Sequence, residues 1–141
     1  MTGLDINVLV AAHRPEHGDH SRAKQWTEHA LASGEPLVLF DLVASGFVRV
    51  VTSPRVFVSP TTIENALAVL ARLRGQAALL SLSAGPRHAE IFAGCCLEAD
   101  ARGNLVTDAH LAALAIEHNC SWASFDRDFA RFKSLRWFSP S

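Results

Sequence analysis

Four aspartates stand beside strongly apolar segments of this sequence, where an unpaired charge is costly. Asp5 interrupts the first apolar run, Asp108 lies in the first turn of a predicted helix, and Asp126 and Asp128 follow the predicted strand 121–125. In open α/β sheets, functional sites collect where the strands end at their carboxyl termini. The sequence therefore predicts a site built on Asp5, Asp108 and Asp126 or Asp128.

Carboxylates that converge in this way repel one another until a divalent cation neutralises them. Ligands that offer only oxygen favour Mg²⁺ or Mn²⁺ over zinc. Such an ion can polarise a phosphodiester and lower the pKa of a bound water. Metal-assisted phosphodiester hydrolysis is the chemistry that this residue set predicts.

Each aspartate also has an ordinary structural alternative. Asp108 could complement a helix dipole, Asp126 could cap a short helix, and Asp5 could cap a helix that begins near Asn7. Taken one at a time, these capping roles are the better interpretation of each residue.

Composition restricts the class of protein. The 141 residues carry a net charge of −1 and are 49% hydrophobic, which predicts one globular domain over residues 1–141. Bulk charge is therefore excluded as the main source of any affinity for nucleic acid or for an anionic membrane. The three cysteines have no CxxC spacing and fit a reducing cytoplasm. No apolar run reaches the roughly 18 residues that a membrane span needs, so we expect no membrane contact and a cytoplasmic location.

Short apolar runs alternate with amphipathic segments, and this alternation predicts an α/β fold with a mostly parallel sheet and helices on both faces. The run 4–12 is too short for periodicity to decide between strand and helix. Strands are predicted at 37–40, 77–82, 121–125 and 135–138. Helices are predicted after caps at Asp19, Asp41 and Thr107, from Ser59-Pro60 to Gly75, from Gly85-Pro86 to Cys96, and briefly within 126–132.

Three segments taken in order carry a more specific signal: LDINVL at 4–9, TDAHLAALA at 107–115 and SFDRDF at 124–129. They resemble the three acidic motifs of the PIN-domain ribonucleases, and the resemblance covers essentially the whole chain. The segments 46–52, 85–88 and 135–140 are similar to a subgroup of VapC proteins, the toxins of bacterial VapBC toxin-antitoxin pairs.

The resemblance implies a PIN-like three-layer α/β/α fold in which Asp5 ends the first strand and a helix begins at 7–12. It implies Mg²⁺ or Mn²⁺ held mainly by Asp5 and Asp108, assisted by Asp126. Asn7 would orient Asp5, and Asp128 would be a local cap or a neighbour of the ligands.

The same resemblance implies a substrate and partners. RNA would be cut endonucleolytically, with transfer RNA favoured over ribosomal and messenger RNA. A small VapB-type antitoxin would wrap apolar helix surface and block the acidic pocket, and the chain could form a homodimer.

One position departs from the family pattern. PIN domains usually carry a Glu in the second helix where this chain has Gly46. Asp41 lies about 140° around and roughly 7.5 Å along a helix from Gly46, so it does not simply replace that Glu. We expect Asp41 to be the N-cap of the helix 42–51. Either the site works with three carboxylates and more water, or its activity is weak or lost.

Other candidate residues rank below the aspartates. Histidines could bind metal or phosphate, arginines could contact phosphate and tryptophans could stack on bases, but a structural or solvated role is at least as good an interpretation. They are His13, His17, His20, His88 and His110; Arg49, Arg87 and Arg102; and Trp26, Trp122 and Trp137.

Two other functions remain open from the sequence. A haloacid-dehalogenase-like phosphatase also begins with an Asp after a strand, but it needs a second carboxylate where this chain has Asn7. A non-catalytic RNA- or protein-binding module could keep the fold and lose the site at Gly46.

Overall fold

A central sheet of five parallel strands organises the protein, and the computed structural model describes all residues 1–141. The strand order is β3-β2-β1-β4-β5, and every neighbouring pair is parallel. The prediction of an α/β fold with a parallel sheet is therefore confirmed. The strands are β1 (Thr2–Leu4), β2 (Leu37–Phe40), β3 (Leu79–Leu82), β4 (Ser121–Ala123) and β5 (Arg136–Phe138).

Six helices flank this sheet. One group packs together through contacts of α1 with α2 and α3 and of α3 with α4, while α5 packs against α6. A short 3₁₀ turn at Arg127–Arg131 follows β4. The helices are α1 (Ile6–His13), α2 (His20–Ser33), α3 (Asp41–Val51), α4 (Ile63–Arg74), α5 (His88–Ala99) and α6 (Asn104–Glu117). None of them is both long and apolar enough to cross a bilayer.

Large side chains from the two strands that flank β1 form the middle of the core. Trp122 of β4 and Phe40 of β2 are fully buried, with their ring centroids 6.3 Å apart. Gly3 of β1 lies between them, because a Cβ at this position would be 2.8 Å from Trp122 Cε3. The close approach of these rings across β1 requires glycine at this position. The prediction that Trp122 is a core residue is confirmed.

Several predicted helix starts are wrong by a few residues. The helix α6 begins at Asn104, directly after Gly103 with φ +56°, so Thr107 is inside the helix and not its cap. The helix α4 begins at Ile63, because the Thr62 side chain accepts a hydrogen bond from the Asn65 N–H and provides the cap. The predicted start at residues 59–60 is therefore too early.

Two predicted capping roles also fail. Asp41 is the first residue of α3 and Phe40 occupies the N-cap position, where no side chain caps the helix. Asp19 does occupy the N-cap position of α2, but its carboxylate bonds the Arg22 guanidinium at 2.5 Å instead of a helix N–H. The exposed carboxylate of Asp41 lies in the first turn, where it only complements the helix dipole.

Candidate metal centre

Three carboxylates meet at the edge of the sheet where the strands end. Oxygen atoms of Asp108, Asp126 and Asp128 lie within 4.8 Å of one another. Asp108 comes from the second turn of α6, whereas Asp126 and Asp128 come from the segment after β4. Asp128, expected to be only a cap or a neighbour, therefore belongs to the cluster itself.

The register of the sheet brings Asp5 to the same edge. Leu4 pairs with Ala123 across β1 and β4, so Asp5 and Ser124 both follow directly after paired residues. Asp5 is 5% exposed, and its Oδ1 accepts a hydrogen bond from the Ile6 N–H at 2.7 Å. Asp5 thus ends β1 and caps α1, which settles the assignment that periodicity left open.

Ser124 connects this buried carboxylate to the cluster. Its hydroxyl is fully buried and donates to Asp5 Oδ2 at 2.5 Å. The Ser124 hydroxyl oxygen also accepts hydrogen bonds from Asn7 Nδ2 at 3.1 Å and from the Asp126 N–H at 3.0 Å. Asn7 Oδ1 in turn accepts from the Phe125 N–H at 3.2 Å. Asn7 therefore orients Asp5 indirectly, through the Ser124 hydroxyl.

Sequence reasoning missed Ser124. Its signal was a hydroxyl residue two positions before Asp126, inside a segment that is otherwise apolar. A buried hydroxyl there requires partners, and only the parallel pairing of β1 with β4 shows that Asp5 is one of them.

The electrostatics of the cluster are unfavourable for a protein without a bound cation. Burial, followed by repulsion from Asp126, Asp5 and Asp128, raises the pKa of Asp108 to about 6. Burial also raises the pKa of Asp5 to about 6 and outweighs its hydrogen bonds from Ser124 and Ile6. The only basic group paired with the cluster is Arg131, whose Nε is 3.6 Å from Asp128 Oδ1.

This donor set fits a hard divalent cation. All the clustered atoms are carboxylate oxygens, which Mg²⁺ and Mn²⁺ prefer. The Asp108 carboxylate accepts no hydrogen bond from the protein, so both of its oxygens are available to an ion. Asp126 Oδ1 accepts a hydrogen bond from the Asp128 N–H at 2.9 Å, and the other oxygen of Asp126 is available to an ion.

The position that usually holds Glu is filled differently here. Gly46 is buried in α3, and a Cβ on it would lie 2.3 Å from Ile6 Cδ1. The Ile6 side chain thus occupies the space into which a longer residue at 46 would extend. Asp41 does not substitute for that residue, because it lines a separate groove together with Ser83 and His110.

The histidines do not converge on an ion. His13 bonds Thr61 Oγ1 at 2.9 Å, His20 bonds the Ala11 carbonyl at 2.8 Å, and His17 Nδ1 accepts the Asp19 N–H at 3.0 Å. The rings of His88 and His110 pack 4.3 Å apart, and His88 Nε2 bonds the His110 carbonyl at 3.2 Å. These contacts give each of the five histidines a structural partner.

The arginine and tryptophan candidates divide between surface and interior. Arg49, Arg87 and Arg102 are exposed, and the last two face Glu90 and Asp100 at 3.8 and 3.3 Å. Trp26 packs on Phe138 with ring centroids 5.7 Å apart, and Trp137 Nε1 donates to the Ser124 carbonyl at 3.0 Å.

Comparisons with known proteins agree with this geometry. The family model described as PIN domain matches residues 4–135. Ribonuclease VapC25 of Mycobacterium tuberculosis is 42% identical over 137 residues, covering 97% of this chain and 96% of that protein. Ribonuclease VapC43 of the same species is 44% identical over 140 residues, covering 99% and 95%.

Solved structures share the fold at lower sequence identity. The structure of VapBC2 from Rickettsia felis bound to a promoter DNA fragment has a TM-score of 0.74 at 14% identity, covering 99% of this chain and 98% of that chain. VapC20 of Mycobacterium tuberculosis, described as a sarcin-ricin loop cleaving toxin, has a TM-score of 0.67 at 17% identity, covering 92% and 93%. With its fold, its acidic cluster and its close sequence relatives in agreement, the chain belongs to the PIN-domain family and, within it, to the VapC ribonucleases.

Proposed function

We propose that this chain is a metal-dependent endoribonuclease and the toxin of a toxin-antitoxin pair. The observation that carries the proposal is the cluster of Asp108, Asp126 and Asp128 within 4.8 Å, with Asp5 buried alongside. The names of the relatives, VapC ribonucleases 42–44% identical over nearly the whole chain, support RNA as the substrate.

The metal would be Mg²⁺ or Mn²⁺, held by Asp5, Asp108 and Asp126. When bound, such an ion supplies Lewis-acid activation of a phosphodiester and of a water molecule. Both oxygens of Asp108 and one oxygen of Asp126 accept no hydrogen bond, so these two residues would provide the main ligands. Asp5 is fixed by Ser124 and Ile6 through one hydrogen bond to each oxygen, which leaves a lone pair on each for the ion or for its water.

The residues around the cluster have positioning roles. Ser124 and Asn7 hold the Asp5 carboxylate in one orientation, and the backbone of residues 124–126 is fixed by the same bonds. Asp128 lies at the exposed side of the cluster, where it adds negative charge and can bind water of the ion's hydration shell. This rigidity places the ligands before the substrate arrives.

A VapB-type antitoxin is the proposed protein partner. Solved neighbours include a VapBC2 complex and a FitAB complex, each bound to DNA. The chain has an apolar groove of about 260 Å³ between α1, α3 and α4, lined by Leu9, Phe47 and Leu70. Ile63 and Leu67, on the nearby α4, are about half exposed at 49% and 54%. An amphipathic antitoxin segment would cover this surface.

We also propose that residues 1–141 form a single domain. We propose a cytoplasmic location and a homodimer as well.

Of the two alternatives, neither has a specific observation in its favour. A haloacid-dehalogenase-like phosphatase needs a carboxylate at the position of Asn7. The Asn7 amide instead donates a hydrogen bond to Ser124 Oγ and accepts one from the Phe125 N–H. A non-catalytic module would have no need for four mutually repelling carboxylates at one edge.

The test uses the purified chain with transfer RNA as the first substrate and ribosomal and messenger RNA beside it. We expect cleavage only with Mg²⁺ or Mn²⁺, at few sites, and its loss in Asp108→Asn. Asp100→Asn is the matched control, because Asp100 is an exposed aspartate at φ +47°, a conformation that Asn tolerates. Cleavage that continues in excess chelator would contradict the metal mechanism.

A further inference from the structure

A second cavity is lined by Asp5, the buried carboxylate alongside the acidic cluster. Its volume is about 360 Å³, and it lies between the start of α1, the end of α3 and the turn that follows α3. Its walls are mostly apolar and are formed by Ile6, Val10, Val50, Val56 and Phe57. Pockets for small organic ligands in proteins have volumes of about 300–1,000 Å³, so this cavity has room for one nucleoside-sized group.

Three polar residues complete the lining of the cavity: Asp5, Asn7 and His17. Asp5 lies between this cavity and the aspartate cluster, because Ser124 joins its carboxylate to the Asp126 N–H. Any group in the cavity is therefore next to the phosphate that the cluster would hold. Asn7 keeps one amide hydrogen and one lone pair after its bonds to Ser124 and Phe125.

His17 adds a hydrogen-bond donor to the cavity, and its contact with Asp19 determines which ring nitrogen carries the proton. Its Nδ1 accepts the Asp19 N–H at 3.0 Å, so in the neutral ring the proton resides on Nε2. The Nε2–H is thus the free hydrogen-bonding group of this ring. Phe57 is fixed as well, because the Arg14 guanidinium stacks 4.2 Å from its ring centroid.

We propose that this cavity binds the nucleobase adjacent to the scissile phosphate and sets the base preference at the cleavage site; the inference rests on the proposed ribonuclease function. Proteins that read RNA sequence take an unstacked base between apolar or aromatic side chains and bond its polar edge. The apolar walls, the ring of Phe57 and the polar groups of Asn7 and His17 provide these elements. Asp5 links the cavity to the site of RNA cleavage, so we assign the cavity to a group of the substrate.

The experiment compares Val56→Trp, which fills the cavity, with Val58→Trp. Val58 is fully exposed two residues along the same turn and does not line the cavity. The substrate is a short RNA that the wild-type protein cuts, together with copies in which one nucleotide beside the cleavage site is abasic. Relative kcat/KM is measured for each protein on each RNA, and binding of a VapB-type antitoxin is measured in parallel.

For the wild-type protein, one abasic position should lower kcat/KM about fivefold or more, which is the low end of what one stacked base contributes. Val56→Trp should show that loss already on the intact RNA and should no longer distinguish the abasic copy, while Val58→Trp behaves as wild type. His17→Asn keeps an acceptor for the Asp19 N–H and removes the Nε2–H, so it should weaken discrimination among the four bases.

Three results would overturn the inference. Equal discrimination in Val56→Trp and wild type shows that the cavity holds no base. Unchanged cleavage with weakened antitoxin binding assigns the cavity to the protein partner instead. If the wild-type protein cuts no RNA with any divalent ion, the proposed function itself fails and takes this inference with it.

Discussion

Replacing Asp108 by Asn should stabilise the metal-free protein while removing its metal site. The pKa of Asp108 is raised from 3.8 to about 6 by burial and by the neighbouring carboxylates. Between pH 4 and 6 the folded protein therefore binds more protons than the unfolded chain, and its free energy of unfolding falls as pH rises through that window. An amide at this position carries no charge and avoids that loss.

The magnitude follows from the shift. One pKa unit corresponds to about 1.4 kcal/mol, so a shift of about two units gives a ceiling of about 3 kcal/mol. Asp108 is only half-buried, and solvent screening reduces this value. We therefore expect Asp108→Asn to raise the free energy of unfolding at pH 7.5 by about 1–2 kcal/mol in the absence of metal.

The assay is urea unfolding in chelator at pH 7.5 and at pH 4.5. The advantage of Asp108→Asn should be largest at the higher pH and should shrink at the lower one, where folded wild-type Asp108 is already protonated. Mn²⁺ should then raise the melting temperature of wild type and not that of the variant. A destabilised variant, or an advantage that is the same at both pH values, would refute the reasoning and favour the structural role that the sequence left open.

Three further predictions concern other residues of the site. Ser124→Ala removes a fully buried hydroxyl with three partners, so the free energy of unfolding should fall by about 1–3 kcal/mol. The Asp5 carboxylate then loses a hydrogen-bond donor, so its pKa should rise and the acid limb of the pH–rate profile should move to higher pH. An acid limb at the wild-type position would contradict the positioning role of Ser124. Asp41→Asn should leave cleavage and metal affinity unchanged in calorimetry, since its exposed carboxylate lies outside the cluster, and a loss as large as that of Asp108→Asn would contradict this. Gly46→Glu alone should destabilise the fold in thermal melts because of Ile6, whereas Ile6→Ala with Gly46→Glu should recover stability and bind Mn²⁺ more tightly than Ile6→Ala alone.

The parallel α/β fold could be predicted because it depends on local patterns that the sequence displays directly. Leu37–Phe40 is a continuous apolar run and forms a buried strand as predicted. The carboxylates could also be predicted to lie together, because Asp5 and Asp126 each follow a strand of the same parallel sheet. These inferences require only that parallel strands end at one edge.

Helix starts were less predictable because several residues compete for the same cap. Near α4, Ser59, Thr61 and Thr62 all precede an apolar segment, and only Thr62 is bonded to a helix N–H. The Thr61 hydroxyl instead accepts a hydrogen bond from the Arg14 guanidinium, which also bonds the Ser59 backbone carbonyl. Such long-range contacts decide the boundary, and no local pattern reveals them.

The role of Asp5 shows why the capping and metal interpretations were never true alternatives. One of its oxygens caps α1 through the Ile6 N–H, and the other accepts the Ser124 hydroxyl. Two hydrogen bonds normally lower the pKa of a carboxyl group, yet burial raises the pKa of Asp5 to about 6. The local structure therefore fixes the orientation of this carboxylate, but it does not stabilise its negative charge enough to offset burial. A bound cation would stabilise that negative charge. The residue that caps α1 is therefore also positioned to act as a metal ligand.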